Sequence, residues 1–229
     1  MSTRIAPSRE RLLDALRQTP RRPLDAALQG TLRHLRASAR SGRGVLADLL
    51  GRAEGFAEWE HYPPRDALDA RSGYRFYYHA HAAQQRVRGE HGHFHVFAPR
   101  RPRRADEADY VHLFGLSVDA RGMPLRVFTT NRWVTAEHWQ DAAWTLRALR
   151  RLDLSHARPR RVAGWLEHMA RLFAPQIEAV VLERDRRVAE RTRRRPREQV
   201  LEDRRSHILS QCAADLARQL DILQAADLA

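Results

Sequence analysis

The hydrophobic period of this 229-residue chain changes twice, and those two changes restrict its fold more than any other feature. Before residue 64 the spacing is helical: Ser8 stands as an N-cap ahead of Leu12, Leu13 and Leu16, and Pro23 opens a segment whose Leu24, Leu28, Leu32 and Leu35 make one stripe. Ser41-Gly42-Arg43-Gly44 interrupts the pattern, Val45, Leu46, Leu49 and Leu50 resume it, and Pro63-Pro64 forbids a continuing helix. From Gly73 the period becomes 2 over four runs rich in aromatic and β-branched residues, 73–82, 89–98, 109–119 and 124–134. Their connectors are short, so neighbouring runs should pair antiparallel. After Thr135, read as an N-cap, helical stripes return: Trp139, Ala143, Leu146 and Leu149, then Val162, Trp165, Met169 and Leu172, and last Leu209, Cys212, Leu216, Leu220 and Leu223. The expectation is an α+β fold, a four-stranded antiparallel β-meander flanked by N-terminal helices and a C-terminal helical region. A single domain should span 1–229, with helical parts at 1–64 and 135–229 around the sheet at 73–134.

Composition removes several classes of chemistry. All 41 basic residues are arginine, so a lysine Schiff base and the phosphate-reaching lysine of a P-loop are both excluded. One cysteine, Cys212, permits neither an internal disulfide nor a paired-thiolate zinc site, which suits a reducing cytoplasm. No apolar window approaches a membrane span, and the first residues carry no signal-peptide core, so no membrane partner is expected. The net charge of +13 suggests a nucleic-acid partner, with eight arginines between Arg184 and Arg197 and a second run at Arg100, Arg101, Arg103 and Arg104. Glu183, Asp185, Glu190, Glu198, Glu202 and Asp203 surround the longer run at helix-pair spacing, and the absence of lysine points to codon bias, so a solvated helix face is favoured over phosphate contact.

Half of the twelve histidines, His79, His81, His91, His93, His95 and His112, fall in the first three extended runs. Alternate residues of a strand share a face, so Tyr77, His79 and His81 point one way and His91, His93, His95 and Phe97 form a matching set. Antiparallel pairing should bring the two sets to one side of the sheet, where protonating several imidazoles together is unfavourable and a shared ion resolves the conflict. His93 and His95 are the leading pair of metal ligands, with His79, His91 or His112 as the third. Hydrogen-bonded or aromatic-packed histidines are the alternative. Glu90 has the opposite parity to His91 and reaches the histidine face only through a bulge, which Gly89 and Gly92 favour. His112 is expected to share its face with Tyr110 and Phe114.

His93-Phe94-His95 followed by His112 resembles the zinc-binding element of the α-carbonic anhydrases, two ligands two apart on a strand and a third on its antiparallel neighbour. That resemblance covers these four residues alone, and the helical chain after residue 135 departs from that sheet-rich family, so it implies a convergent ligand geometry. A longer resemblance, over residues 59–141, is to an uncharacterised bacterial family of unknown function. Trp59 to Pro63, Tyr77 to His81, Gly89-Glu90-His91-Gly92-His93-Phe94-His95 and Asn131-Arg132-Trp133-Val134-Thr135 carry it. It implies no reaction and no partner.

The functional expectation is a protein holding a divalent metal, zinc or iron, through imidazoles. If it is an enzyme, water activation of the hydrolase or lyase type comes before oxygen chemistry. Tyr77, Glu90 and Asn131 are candidates for catalysis, and His61, Asp66 and Asp69 for a lid over the sheet. A metal-free His/Tyr pocket for a small-molecule substrate and an arginine-rich binder of anionic partners are the alternatives. The stripe from Leu209 to Leu223 offers a surface for a homodimer.

Overall fold

The computed structural model describes residues 2–51, 56–101 and 109–226. Its strands are β1 (Thr3–Ile5), β2 (Tyr62–Leu68), β3 (Arg75–His79), β4 (Gly92–Pro99), β5 (Tyr110–Val118), β6 (Pro124–Thr130) and β7 (Ile208–Ala213). They form one seven-stranded sheet in the order β1-β7-β6-β5-β4-β3-β2. All neighbours are antiparallel except β1 and β7, which run parallel.

The α+β class stands, but the expected four-stranded meander is replaced by this larger, mixed sheet. Each of the three added strands hides its period. β2 contains Pro63 and Pro64, which read as a helix stop, yet an edge strand tolerates residues that cannot donate to a ladder. β7 is covered on both faces, with Leu209 and Ser210 both fully buried, so it shows no alternation. Leu209 and Cys212, three apart, then mimic a helix that runs on into Leu216. In fact the chain leaves the sheet after Ala213, and Asp215 caps a new helix by accepting the Arg218 N–H. The continuous stripe expected from Leu209 to Leu223 is therefore split between a strand and a helix. β1 has only three residues and pairs solely with β7 in the described structure.

The helices are α1 (Arg9–Arg17), α2 (Arg21–Ser41), α3 (Val45–Leu50), α4 (Arg132–Thr135), α5 (Ala142–Arg150), α6 (Arg160–Leu172), α7 (Ala174–Thr192), α8 (Arg197–Leu201) and α9 (Leu216–Ala225). Ser8 caps α1 as expected, accepting the Arg11 N–H at 3.2 Å. Gly42 stops α2 in the left-handed region, at φ 66°. Thr135 ends the one-turn α4 instead of opening a long helix; the N-cap of α5 is Asp141, which accepts the Trp144 N–H at 2.7 Å. Among the described residues no helix is long and apolar enough to cross a membrane.

One sheet face carries Phe76, Tyr78, Phe94, Val96, Phe114 and Leu116 and is sealed in the main core. The Phe94 ring lies 5.7 Å from that of Trp165 on α6, and the Ser210 hydroxyl donates to the Val180 carbonyl of α7 at 2.6 Å. Truncating a fully buried phenylalanine such as Phe94 to alanine costs about 3–5 kcal/mol, because the rigid surroundings close only partly over the cavity. The opposite face carries Tyr77, His79, His93, His95 and Phe128 and forms the floor of an open cavity.

Candidate metal centre

The register of β3 against β4 places Tyr77 opposite His95 and His79 opposite His93. Three imidazoles thereby meet on the uncovered face. The Nε2 atoms of His79 and His93 are 2.8 Å apart, and one ring nitrogen from each of His79, His93 and His95 lies within 4.8 Å of the other two. Nitrogens bound to a common tetrahedral ion at about 2.1 Å stand about 3.4 Å from one another, so these spacings bracket what a shared ion needs. His93 and His95 are buried and His79 is half-buried. Burial, and then the neighbouring imidazoles of His93, His81 and His61, pull the pKa of His79 down to about 2. Burial and the same crowding hold His95 well below its ordinary value. Both rings are therefore neutral at pH 7, the form that presents a lone pair. The cluster has the donor set and geometry of a His-ligated metal site.

Two polar groups hold the rings in place. Glu90 Oε1 accepts from His93 Nδ1 at 2.8 Å, which leaves Nε2 of His93 directed at His79. Its Oε2 accepts from Arg126 at 3.1 Å, and Arg126 also donates to Ser117 at 3.0 Å and Gln211 at 2.7 Å. Burial raises the Glu90 pKa, but the His93 hydrogen bond and the charges around it bring it below the ordinary value. On the other flank, His95 Nδ1 and His112 Nε2 are 3.0 Å apart, and His112 Nδ1 pairs with the Thr130 hydroxyl at 3.2 Å. Both nitrogens of His112 are thus occupied within the protein.

Backbone irregularities decide these roles. β4 begins at Gly92, so strand parity does not extend back to Glu90 and His91. Gly89 reverses the chain at φ 82°, and a Cβ on Gly92 would meet the Tyr78 hydroxyl at 2.5 Å and the His79 carbonyl at 2.6 Å. Glu90 consequently lies on the cluster side. His91 lies on the core side, with its Nδ1 2.5 Å from the Tyr78 hydroxyl and its ring against Phe56, away from the cluster. A second irregularity pairs Val96 with Phe114 but Phe97 with His112, leaving Leu113 as the extra residue. His112 therefore faces the cavity side, and Phe114 faces the core, not the shared face expected for the two. The partner that completes the compact trio with His93 and His95 is His79 on β3, whereas the carbonic-anhydrase-like arrangement pointed to His112 on β5.

A family model described as Domain of unknown function (DUF6969) matches residues 25–214. The chain belongs to the DUF6969 family. The matched stretch runs from within α2 through β7 and includes the three clustered histidines, Glu90, His112 and Arg126. No curated protein and no solved structure matches the chain.

In this DUF6969 protein the cluster opens into a cavity of about 770 Å³. At one side His61 stacks on Tyr77, ring centroids 3.9 Å apart, and its Nδ1 is 3.4 Å from Asp66. His61 adjoins β2 and Asp66 lies within it, so they belong to the edge of the sheet and do not form the expected lid over it, while Asp69 is buried in a turn and does not line the cavity. The Tyr77 phenol, a catalytic candidate, lines the cavity, and burial pushes its pKa up. Asn131, another candidate, is fully buried and committed to structure. It accepts the Arg132 N–H and donates to the Val200 carbonyl at 2.9 Å. Trp133, next to Asn131, lines the cavity, as do Arg126 and His207, which no motif marks; only the parity of Arg126 with Phe128 and Thr130 on β6 signals its place.

The arginine-rich run is largely occupied within the chain. Arg184 is buried, donates to the Gln140 carbonyl and lies over the Trp139 ring at 4.4 Å. Arg186 pairs with Glu183, Arg187 donates to the Leu209 carbonyl, Arg191 to Ser206 and Arg195 to Asp203. Arg103 and Arg104 of the second run lie outside the described residues.

Proposed function

We propose that this DUF6969 protein is a divalent-metal enzyme, with zinc or iron held by His79, His93 and His95 and a small-molecule substrate in the cavity above them. The observation that carries the reading is the meeting of three imidazoles, donor atoms within 4.8 Å, at the floor of a cavity of about 770 Å³. An ion held by three protein ligands with an open position supplies Lewis acidity, either to a water molecule or to a substrate oxygen. The remaining chemistry belongs to the chain. Glu90 takes the Nδ1 proton of His93 in a hydrogen bond, and His112 does the equivalent for His95, so both rings keep one orientation and one tautomer. His61, paired with Asp66 and with its ring centroid 5.6 Å from that of His79, is placed to accept or return a proton at the cavity wall. Hydrolysis or water addition suits this set better than oxygen chemistry, because proton handling is built in beside the ion. We take the histidine segment to be a core shared across the family. Cytoplasmic residence suits the lone Cys212, a buried thiol whose pKa burial pushes up to about 11.

The test is elemental mass spectrometry on untagged protein. About one equivalent of one metal is expected, abolished in His93→Ala/His95→Ala and retained in His91→Ala. Metal-free protein that takes up neither zinc nor iron(II), or a double variant with undiminished metal, would sink the assignment.

A further inference from the structure

The cavity walls indicate what the site takes. Beside the histidines, five aromatic residues, Trp59, Tyr77, Tyr110, Phe128 and Trp133, line the space together with smaller apolar and polar groups. Trp133 is fixed, its indole N–H shared between the Asp203 and Ser206 carbonyls at 3.0 and 3.1 Å and its ring against His207 at 4.6 Å. Trp59 stacks on His81 at 4.5 Å and remains 56% exposed. An exposed tryptophan on the rim of an apolar cavity is surface that a flat ligand would cover.

The arginine and the carboxylates in the cavity already have partners. Among the described residues that line it, the acidic and arginine side chains are Asp66, Glu90 and Arg126. Glu90 and Arg126 bond to each other, Arg126 has two further acceptors, and Asp66 faces His61. Away from the histidine cluster, a phosphate or carboxylate held by the walls would have to displace one of these partners, and a buried charge left without its partner is costly. Among the described residues that line the cavity, one fully buried side-chain oxygen has no hydrogen-bond partner, the Thr135 hydroxyl. Buried hydroxyls in folded proteins are nearly always bonded, so this one suits a polar atom of the occupant.

We propose that the cavity binds an uncharged, ring-bearing small molecule that carries an oxygen donor toward the histidine cluster. Only the oxygen donor rests on the metal reading; the ring and the absence of charge rest on the walls. The volume lies within the range of small-molecule sites and accommodates a fused two-ring system with substituents.

The test uses matched probes and calorimetry on the full chain loaded with zinc. 2-Naphthohydroxamic acid, with an uncharged ring, should bind at least about tenfold more tightly than acetohydroxamic acid, which has the same donor and no ring, because only the former buries aromatic surface. Succinic monohydroxamic acid, with a free carboxylate, should bind no better than acetohydroxamic acid. Trp59→Ala should reduce the naphthyl preference while leaving acetohydroxamic acid unchanged. Equal binding of the three probes, or preference for the carboxylate, would overturn the proposal. The metal reading is separated by repeating the comparison on chelator-treated protein with 2-naphthamide against acetamide. Ring preference there upholds the wall argument even if no metal is ever bound, and its absence overturns it.

Discussion

Replacing Glu90 by glutamine separates the positioning of His93 from simple stability. The carboxylate serves two donors at once, His93 at 2.8 Å and Arg126 at 3.1 Å, and its side chain is only 2% exposed. An amide of the same shape offers one acceptor and one N–H₂, so one of the two donors must face another donor. If the amide oxygen stays with Arg126, His93 loses its acceptor and its ring is free to rotate or change tautomer. Loss of such a partner typically lowers metal affinity about 10–100-fold, or about 1.4–2.7 kcal/mol. Stability should fall too, by about 3 kcal/mol, the lower end of the cost of breaking a buried pair, because Arg126 keeps Ser117 and Gln211 as acceptors. Zinc affinity by competition with a chromogenic chelator and urea unfolding of the metal-free protein read the two effects independently. Unchanged zinc affinity together with reduced stability would make Glu90 a packing residue and refute its positioning role. His93→Ala provides the scale, since it should weaken zinc more than Glu90→Gln does.

Two further outcomes follow from other buried carboxylates. Burial raises the Glu137 carboxyl to about 8, with Arg184 and the His112 backbone N–H only partly opposing it. The native state then retains a proton that the unfolded chain releases near 4.5, so the part of the stability that Glu137 contributes should decline as pH rises from about 4.5 to about 8, against the opposite trend set by the buried histidines whose pKa is lowered from 6.5. The urea midpoint of wild type relative to Glu137→Gln should therefore fall as pH rises across that window, and a difference that stays constant with pH would refute the cause. Asp69 behaves oppositely: burial raises its pKa, but the N–H groups of Ser72, His156 and Arg71 win and hold it below 3.8. Its contribution is present above 3.8 and is lost as pH falls through the lower native value. Asp69→Ala should cost about 3 kcal/mol at pH 7 by leaving those donors unpaired, with the gap to wild type narrowing in acid. A constant gap down to pH 2 would remove the charge from the explanation.

The fold was readable where burial falls on one side of an element. β3 to β6 alternate because one face meets the core and the other a cavity, and α1 and α2 show stripes because one side meets solvent. β7, buried on both faces, has no alternation to read, and the prolines of β2 are intelligible only once the strand is known to lie at the edge. The three-residue β1 is too short for any period. These misses share a cause: the missing information is the neighbour of the strand, and a local pattern does not contain it.

The site follows the same logic at finer scale. Parity brings His79, His93 and His95 together because all three lie within uninterrupted ladder, where the two-residue period transfers from one strand to the next. It fails at His91, Glu90 and His112, each of which adjoins a break in the ladder. Those breaks differentiate the cluster. The glycine turn before β4 withdraws one histidine and supplies a carboxylate, and the extra Leu113 turns His112 inward to meet His95 from behind. A uniformly paired hairpin would have offered five similar imidazoles on one surface, with nothing to select three. As folded, three nitrogens face the cavity while a carboxylate and a fourth ring fix two of them from outside, which is the division of labour that a metal centre requires.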